Sequence, residues 1–320
     1  MNYREIDVKE EEIESIDSEL LKILLKDRST GKNIIWATTD YSRYGKGFSS
    51  TDNIKPESVL GRYKIIIRPR VAKHKYNQED RTREKAEVFT PAWLCNRQNN
   101  LIDQQWFGRT GVFNSEKTNG WKTNTEMIVF PNIEGRTWKD YVNAIRLEVT
   151  CGEAPYLVSR YDAVSGNYIE VNDRVGLLDR KLRVISENIE SKDEWCEWAI
   201  AAYKSIYAYE FQGDSLLLAR ENLLFDFIDN YSIKYGEEPS VDILKEIATI
   251  ISWNVWQMDG ITNAIPFDKA RDEFEQISIF DLTDSSSKKT KKTQYAIIKD
   301  WANDSEIEYR NLIKKGSYYG

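Results

Sequence analysis

Segments rich in strand-forming residues alternate with helical segments between residues 145 and 257 of this 320-residue chain. The predicted strands are Ile145–Thr150, Ser205–Glu210 and Ile251–Gln257. The predicted helices are Trp93–Leu101, Asp193–Lys204, Leu216–Tyr231 and Val241–Ile250, and another helix is expected to start at Tyr156–Tyr161. Strand, turn and helix repeated in this order favour an α/β fold on an open, mainly parallel sheet.

Each predicted strand ends at or near a carboxylate. Glu148 precedes the turn Cys151-Gly152, Glu210 ends the second strand and Asp259 follows the third. Ligands of doubly wound sheets bind at the carboxyl ends of the strands, where the backbone approaches the ligand and carboxylates accept ribose hydroxyls. We therefore expect a nucleoside-binding edge. The alternative is that these carboxylates only cap helices and turns.

The first 80 residues are predicted to form a small α+β region with an acidic helix, and residues 81–320 to form the α/β domain. Apolar residues at helical spacing among acidic ones predict an amphipathic helix that ends near Lys26. Ile34–Thr38 and Tyr63–Ile67 are rich in strand formers and are predicted to be strands.

One histidine and three cysteines limit the chemistry. His74 lies in a Lys/Arg-rich segment, which disfavours a Ser-His-Asp site or a site of several histidines. Cys95, Cys151 and Cys196 are far apart and odd in number, so no disulfide framework or zinc knuckle is expected. We predict no metal site, and the residues alone identify no catalytic group.

No segment approaches the run of about 20 apolar residues that a membrane helix needs. Met1–Lys9 has neither the basic start nor the apolar run of a signal peptide. A cytoplasmic protein without a membrane partner is therefore expected.

The net charge of −7 is unevenly distributed. Residues 1–20 carry eight acidic and two basic residues, so the rest is nearly neutral and too weakly acidic for a DNA mimic. Gly61–Lys85 carries nine basic and three acidic residues, and DNA contact is predicted at Arg81, Arg83 and Lys85. The alternative is a solvated basic face. The basic, low-complexity stretch Ser285–Thr293 is predicted to be a loop.

Four short elements resemble, in order, those of the adenine-specific DNA methyltransferases of restriction–modification systems, especially short proteins of the restriction endonuclease subunit M type. The elements are Thr90-Pro91, the turn segment Glu148–Leu157, Tyr209-Glu210 followed by Leu218–Leu223, and Asp259. The resemblance covers roughly residues 81–262 and implies a Rossmann-like methyltransferase fold.

The resemblance also implies a cofactor, S-adenosylmethionine, and a cofactor-binding role for the matching residues. Glu210 would hold the ribose and Asp259 the adenine, while Thr90, Cys151 and Gly152 would contact the methionine end. The remaining implied residues are Pro91 and Glu148. DNA and other restriction–modification or phage-defence subunits are the implied partners.

The chain departs from the family at its catalytic element. It contains no Pro-Pro pair, so the Asn/Asp-Pro-Pro-Tyr/Phe element is missing, and Ala264–Phe267 is its nearest remnant. Ala154 stands where the family has a second glycine, which adds a methyl group to the cofactor turn. We expect the chain to be inactive alone. The alternative is a non-catalytic DNA-binding or assembly subunit that kept the fold and lost the chemistry.

An insertion-like stretch, Asp173–Leu182, lies between the turn segment Glu148–Leu157 and the next element, Tyr209-Glu210. Its charged residues are interpreted as a solvated helix face, with a basic edge as the alternative.

Overall fold

The computed structural model describes residue 6 and residues 10–73, 90–268 and 293–316. The helices are α1 (Glu10–Ile16), α2 (Ser18–Leu25), α3 (Pro56–Val59), α4 (Ala92–Phe107), α5 (Trp138–Asn143), α6 (Leu177–Asn188), α7 (Lys192–Lys204), α8 (Gly213–Tyr235), α9 (Val241–Asn254) and α10 (Arg310–Gly316). The strands are β1 (Asn114–Lys117), β2 (Gly120–Thr123), β3 (Arg146–Glu148), β4 (Ile206–Glu210), β5 (Val255–Gln257), β6 (Ile297–Asp300) and β7 (Ser305–Glu308). Within those described ranges, no helix has the length and apolar character needed to cross a membrane.

A parallel sheet with strand order β3-β4-β5 joins the three predicted strand segments. Helices α6 and α7 connect its first two strands, and α8 and α9 connect the next two. The α/β class with a parallel sheet is therefore confirmed. The other paired strands form two antiparallel hairpins, β1-β2 and β6-β7.

Helix α8 lies in the interior. Its residues 213–231 are all buried, because apolar side chains point in every direction around the helix. The buried Arg220 donates hydrogen bonds to the carbonyls of Leu24, Lys26 and Val255. Arg220 thereby ties α8 to the end of α2 and the start of β5. The helix ends at Gly236, which has the left-handed φ of 69°.

The N-terminal helix ends where it was predicted to end, but it is broken into α1 and α2. Asp17 interrupts it with an extended backbone and accepts a hydrogen bond from the amide of Glu19, which makes it the N-cap of α2. One hydrophobic cluster runs from Ile13 in α1 to Val255 in β5.

The two N-terminal strand predictions were wrong. The segment 33–36 forms only isolated antiparallel bridges, between Asn33 and Lys26 and between Ile35 and Asn53, instead of a strand. The amide of Trp36 donates to Asp52, and that of Ile35 donates to the Gln257 side chain. Gly61–Tyr63 forms a 3-10 helix, and the amide of Ile66 donates back to Tyr63. Strand propensity depends on a partner strand, and the described residues supply none here.

Two further predictions in the α/β part were wrong. The segment Tyr156–Tyr161 contains turns instead of a helix, and the next long helix begins only at Leu177. In the stretch Asp173–Leu182, the charged side chains of Arg174, Asp179, Arg180 and Lys181 are buried instead of solvated.

Candidate functional site at the carboxyl edge of the sheet

The predicted acidic residues lie at one edge of the parallel sheet. Glu148 is the last residue of β3, Glu210 is the last of β4, and Asp259 follows β5 by two residues. The strands are adjacent in the order β3-β4-β5, so the structure brings the three strand ends together.

Glu210 joins the turn after β3 to the start of α8. Its Oε2 accepts a hydrogen bond from the amide of Gly152 at 2.9 Å. Its Oε1 accepts from the amides of Phe211 at 2.9 Å and Gln212 at 3.1 Å. The buried carboxylate therefore holds the turn after β3 and the two residues that lead into α8 at the same time.

Glu148 is buried beneath the same turn. Its two carboxylate oxygens accept from the amides of Tyr156 at 3.3 Å and Leu157 at 3.1 Å. Burial raises the pKa of Glu148 to about 8, because desolvation outweighs the two hydrogen bonds and the nearby Glu210 adds like charge. A carboxyl group of this pKa exchanges a proton close to neutral pH.

The turn between these acids has an unusual backbone. Thr150, Gly152 and Ala154 have φ of 47°, 56° and 62°, in the left-handed region that side chains with a Cβ rarely adopt. Strain of this kind is concentrated at ligand sites and turns. Ala154 is fully buried in the hydrophobic cluster, so its methyl group faces the core.

Thr90-Pro91 lies near this turn. Pro91 caps α4, and the Cys95 thiol donates to the carbonyl of Thr90 at 3.7 Å. Burial raises the pKa of the Tyr156 hydroxyl, and the nearby side chain of Thr90 opposes this shift. Thr90 therefore lies near the segment that also holds Glu148.

Asp259 stabilises the loop after β5. Its Oδ1 accepts from the amides of Ile261 at 2.8 Å and Thr262 at 3.3 Å. The amide of the intervening Met258 donates to the carbonyl of Glu210 at 3.0 Å. Backbone hydrogen bonds therefore link the loop of Asp259 to the end of β4.

Cys151 is buried in the same turn, and its amide donates to the carbonyl of Tyr209 at 2.9 Å. Burial raises the pKa of the Cys151 thiol well above its ordinary value, with Glu148 and Glu210 adding to the shift. This thiol is thus neutral near pH 7 and a poor nucleophile.

An aromatic pair near Glu210 was not singled out from the sequence as a pair. Phe211 and the half-exposed Phe267 meet edge to face with ring centroids 5.6 Å apart. Phe267 belongs to the remnant Ala264–Phe267 and also has a left-handed φ of 64°. A cavity of about 350 Å³ lies beside it, lined by polar residues that include Asn33, Asn53 and Gln257. The sequence drew attention to Phe267 only as part of that remnant, because its partner Phe211 is far away along the chain.

The predicted DNA-contacting residues Arg81, Arg83 and Lys85 lie outside the described residues, as does His74. So does Ser285–Thr293, apart from Thr293. Across the described ranges, His, Cys, Asp and Glu side chains form no group that could hold a metal ion. Comparisons with protein-family models, curated proteins and solved structures found no match to this chain.

Proposed function

We propose that this chain is an S-adenosylmethionine-binding, DNA adenine methyltransferase-like protein of a restriction–modification or phage-defence system, and that it transfers no methyl group by itself. The observation that carries the proposal is the meeting of four separate segments at one sheet edge. The side chain of Thr90 lies near the Tyr156 hydroxyl, Gly152 donates to Glu210, and Met258 donates to the carbonyl of Glu210. Ligands of α/β proteins bind at such edges.

In the proposed complex, Glu210 accepts the ribose hydroxyls and Asp259 binds the adenine. Thr90, Pro91, Cys151 and Gly152 surround the methionine end, with Glu148 beneath the turn. A carboxylate offers about four acceptor positions. Three backbone amides already donate to Glu210. Ribose hydroxyls would therefore share the carboxylate oxygens with these amides or replace them as donors. DNA is the proposed partner, with Arg81, Arg83 and Lys85 as its phosphate contacts.

The second candidate is a non-catalytic DNA-binding or assembly subunit. The same hydrogen bonds favour it, because amides that hold Glu148 and Glu210 give both acids a sufficient structural role. The missing Pro-Pro pair also favours it, since a methyltransferase needs polar acceptors at the amine of an extruded adenine.

Calorimetric titration with S-adenosylmethionine and S-adenosylhomocysteine separates the two candidates. We expect saturable binding by the wild type and a loss of about 1.5–3 kcal/mol of binding free energy in Glu210→Gln, because a charge-assisted acceptor is lost. Glutamine keeps the size and one acceptor oxygen. Glu190→Gln is the matched control, since the side chain of Glu190 is 94% exposed and distant in sequence from the edge.

The absence of binding heat in a folded wild-type protein would reject the cofactor proposal and leave the second candidate. Equal affinity of wild type and Glu210→Gln would instead remove Glu210 from the cofactor site.

A further inference from the structure

Two loops of the N-terminal segment meet through a chain of aromatic rings. The buried Trp36 packs on Phe48 with ring centroids 5.5 Å apart. Phe48 contacts Tyr44 at 5.5 Å and Tyr63 at 4.9 Å, and the two tyrosine rings meet edge to face at 5.9 Å. The rings therefore hold the loop of Tyr44 against the turn of Tyr63, and Trp36 fixes both to the core.

Each of these two tyrosines carries an arginine on its ring. The guanidinium carbon of Arg43 lies 5.1 Å from the ring centroid of Tyr44. That of Arg62 lies 4.6 Å from the ring centroid of Tyr63. A guanidinium over an aromatic ring is held in place and keeps its charge. Lys46 is exposed in the same loop as Arg43. Arg43, Tyr44, Lys46, Arg62 and Tyr63 are called the basic aromatic face below.

The cations of the basic aromatic face are not neutralised by the part of the chain that the structure describes. Arg43, Lys46 and Arg62 are exposed and form no ion pair with a described residue, whereas the neighbouring Lys64 pairs with Glu11 at 3.3 Å. Unneutralised cations on one surface raise the local concentration of an anionic partner and steer its approach. The face therefore fits a partner with several negative charges.

The basic aromatic face is built on the carboxyl edge of the parallel sheet. The carbonyl of Trp36 accepts a hydrogen bond from the amide of Gly213, the first residue of α8, at 2.9 Å. The ring of Tyr41 packs on Trp36 at 4.3 Å, and its hydroxyl donates to Asp214 at 2.8 Å. Helix α8 follows the end of β4, where Glu210 lies. The ring chain thus runs from the edge proposed to bind the cofactor to the exposed cations.

We propose that the basic aromatic face binds the phosphate backbone of duplex DNA. A duplex carries one negative charge for about every 1.7 Å of its axis, so it can meet several cations at once. Guanidinium groups bind phosphate through two parallel hydrogen bonds. The tyrosine rings are half-buried and already carry arginines, so charge is offered here instead of an open ring for stacking bases. The contact therefore positions the duplex and reads no sequence.

This inference rests on the DNA partner of the proposed function and adds a second contact surface to it. The duplex would lie across the carboxyl edge of the sheet, where the proposed cofactor site is. Arg43 and Arg62 would hold it from the N-terminal segment, separately from the contacts proposed at Arg81, Arg83 and Lys85.

Fluorescence anisotropy with labelled duplex DNA of mixed sequence, repeated across salt concentrations, tests the proposal on the full chain. Arg43→Gln/Arg62→Gln removes two phosphate contacts and the counterions that they release. The slope of log affinity against log salt should therefore become shallower by up to about 1.8, and affinity at about 0.1 M salt should fall on the order of 10–100-fold. Arg43→Lys/Arg62→Lys keeps both charges and should retain most of the slope.

The matched control is Lys139→Gln/Lys204→Gln. These two cations also lie over aromatic rings, Lys139 at 5.4 Å from Trp138 and Lys204 at 5.2 Å from Trp301. They belong to α5 and α7, which end just before β3 and β4 begin, so they lie towards the opposite edge of the sheet. The control variant should bind DNA as the wild type does.

An unchanged slope in the glutamine variant, or an equal loss in the control variant, would overturn the basic aromatic face and leave the DNA partner in place. Absence of DNA binding by the wild type would overturn both, while calorimetry with S-adenosylmethionine still decides on the cofactor. Vesicles that contain phosphatidylserine supply a further arm. Binding to these vesicles that requires Arg43 and Arg62, without binding to DNA, would assign the face to a lipid surface and overturn the proposal.

Discussion

The protein buries carboxylates in two regions, and these carboxylates have different partners in each region. Along α8, Asp226 and Asp229 form ion pairs with the guanidinium of Arg174, and Arg160 adds a further pair to Asp229. At the sheet edge, Glu148 accepts only backbone amides among the contacts found for it. The first arrangement neutralises buried charge within the fold. The second leaves Glu148 without a cationic partner among the described residues, with a pKa raised to about 8.

Arg160, Arg174, Asp226 and Asp229 are called the α8 cluster below. This cluster shows what the neutralisation of buried carboxylates requires. Burial alone would lower the pKa of Arg174, but Asp226 and Asp229 raise it above the ordinary value, so the guanidinium stays charged. Desolvation and the neighbouring Asp179 raise the pKa of Asp226 well above its ordinary value. The cluster therefore has a cation at its centre, and Glu148 has no equivalent among the described residues.

Removal of Arg174 should have the largest effect. Arg174→Met leaves Asp226 and Asp229 buried beside a thioether, and loss of one partner of a buried ion pair costs about 3–5 kcal/mol of unfolding free energy. Denaturant titration measures it. Lys192→Met, which removes an exposed ion pair with Glu237, should change stability little. If both variants lose the same stability, the α8 cluster does not differ from a surface pair.

The pH dependence of stability should reveal Glu148. Folding raises its pKa from 4.5 to about 8. Between these values the folded protein binds the proton and the unfolded chain does not, so the unfolding free energy falls as pH rises through this window. Glu148→Gln abolishes this contribution. Its stability relative to wild type should therefore increase by about 2–4 kcal/mol between about pH 5 and about pH 9.

Denaturant titrations of both proteins across this range supply the measurement. The difference between them cancels other buried groups such as Lys181, whose pKa burial lowers. Glu237→Gln is the control, because a hydrogen bond from Lys192 lowers the pKa of Glu237 and its titration lies below this window. A difference that stays constant with pH would show that Glu148 titrates like a solvated acid.

The smallest expected effect lies where the two regions meet. The buried Tyr161 hydroxyl donates to Glu153 at 2.5 Å and accepts from Asn222 on α8 at 3.2 Å. Tyr161→Phe should cost about 1–2 kcal/mol, because two buried polar groups each lose a partner. Thermal and denaturant unfolding check it. Tyr309→Phe, at a buried tyrosine whose hydroxyl has no hydrogen-bond partner among the described residues, should be nearly neutral. Equal losses would mean that ring packing dominates at both positions.

The local pattern of apolar residues in the sequence predicted several of the helices and strands. The helices α4, α7, α8 and α9 and the strands β3 and β4 lie close to the predicted ranges, because apolar periodicity and capping act within a few residues. The predicted start of β5 was too early, since residues 251–254 continue α9. The three strand-end acids were also predictable, because parallel strands share their carboxyl edge.

The errors arose from distant contacts. Arg174 was interpreted as exposed because its carboxylate partners are 52 and 55 residues away. The amides of Tyr156 and Leu157 bond to Glu148 instead of starting a helix. The segment from Ile34 to Trp36 has only an isolated bridge, between Ile35 and Asn53, and a bond from Ile35 to the side chain of Gln257 in place of a partner strand. Sequence spacing cannot reveal such pairings.

Gly213 at the start of α8 limits how this sequence can change over evolution. A Cβ atom there would lie 2.0 Å from the carbonyl oxygen of Ile35, and the amide of Gly213 donates to Trp36. Every replacement would push the N-terminal segment off the interior helix. A side chain is therefore sterically excluded at this position even though its φ is ordinary, and a replacement could be accepted only together with a change that moves the backbone of Ile35 away from α8.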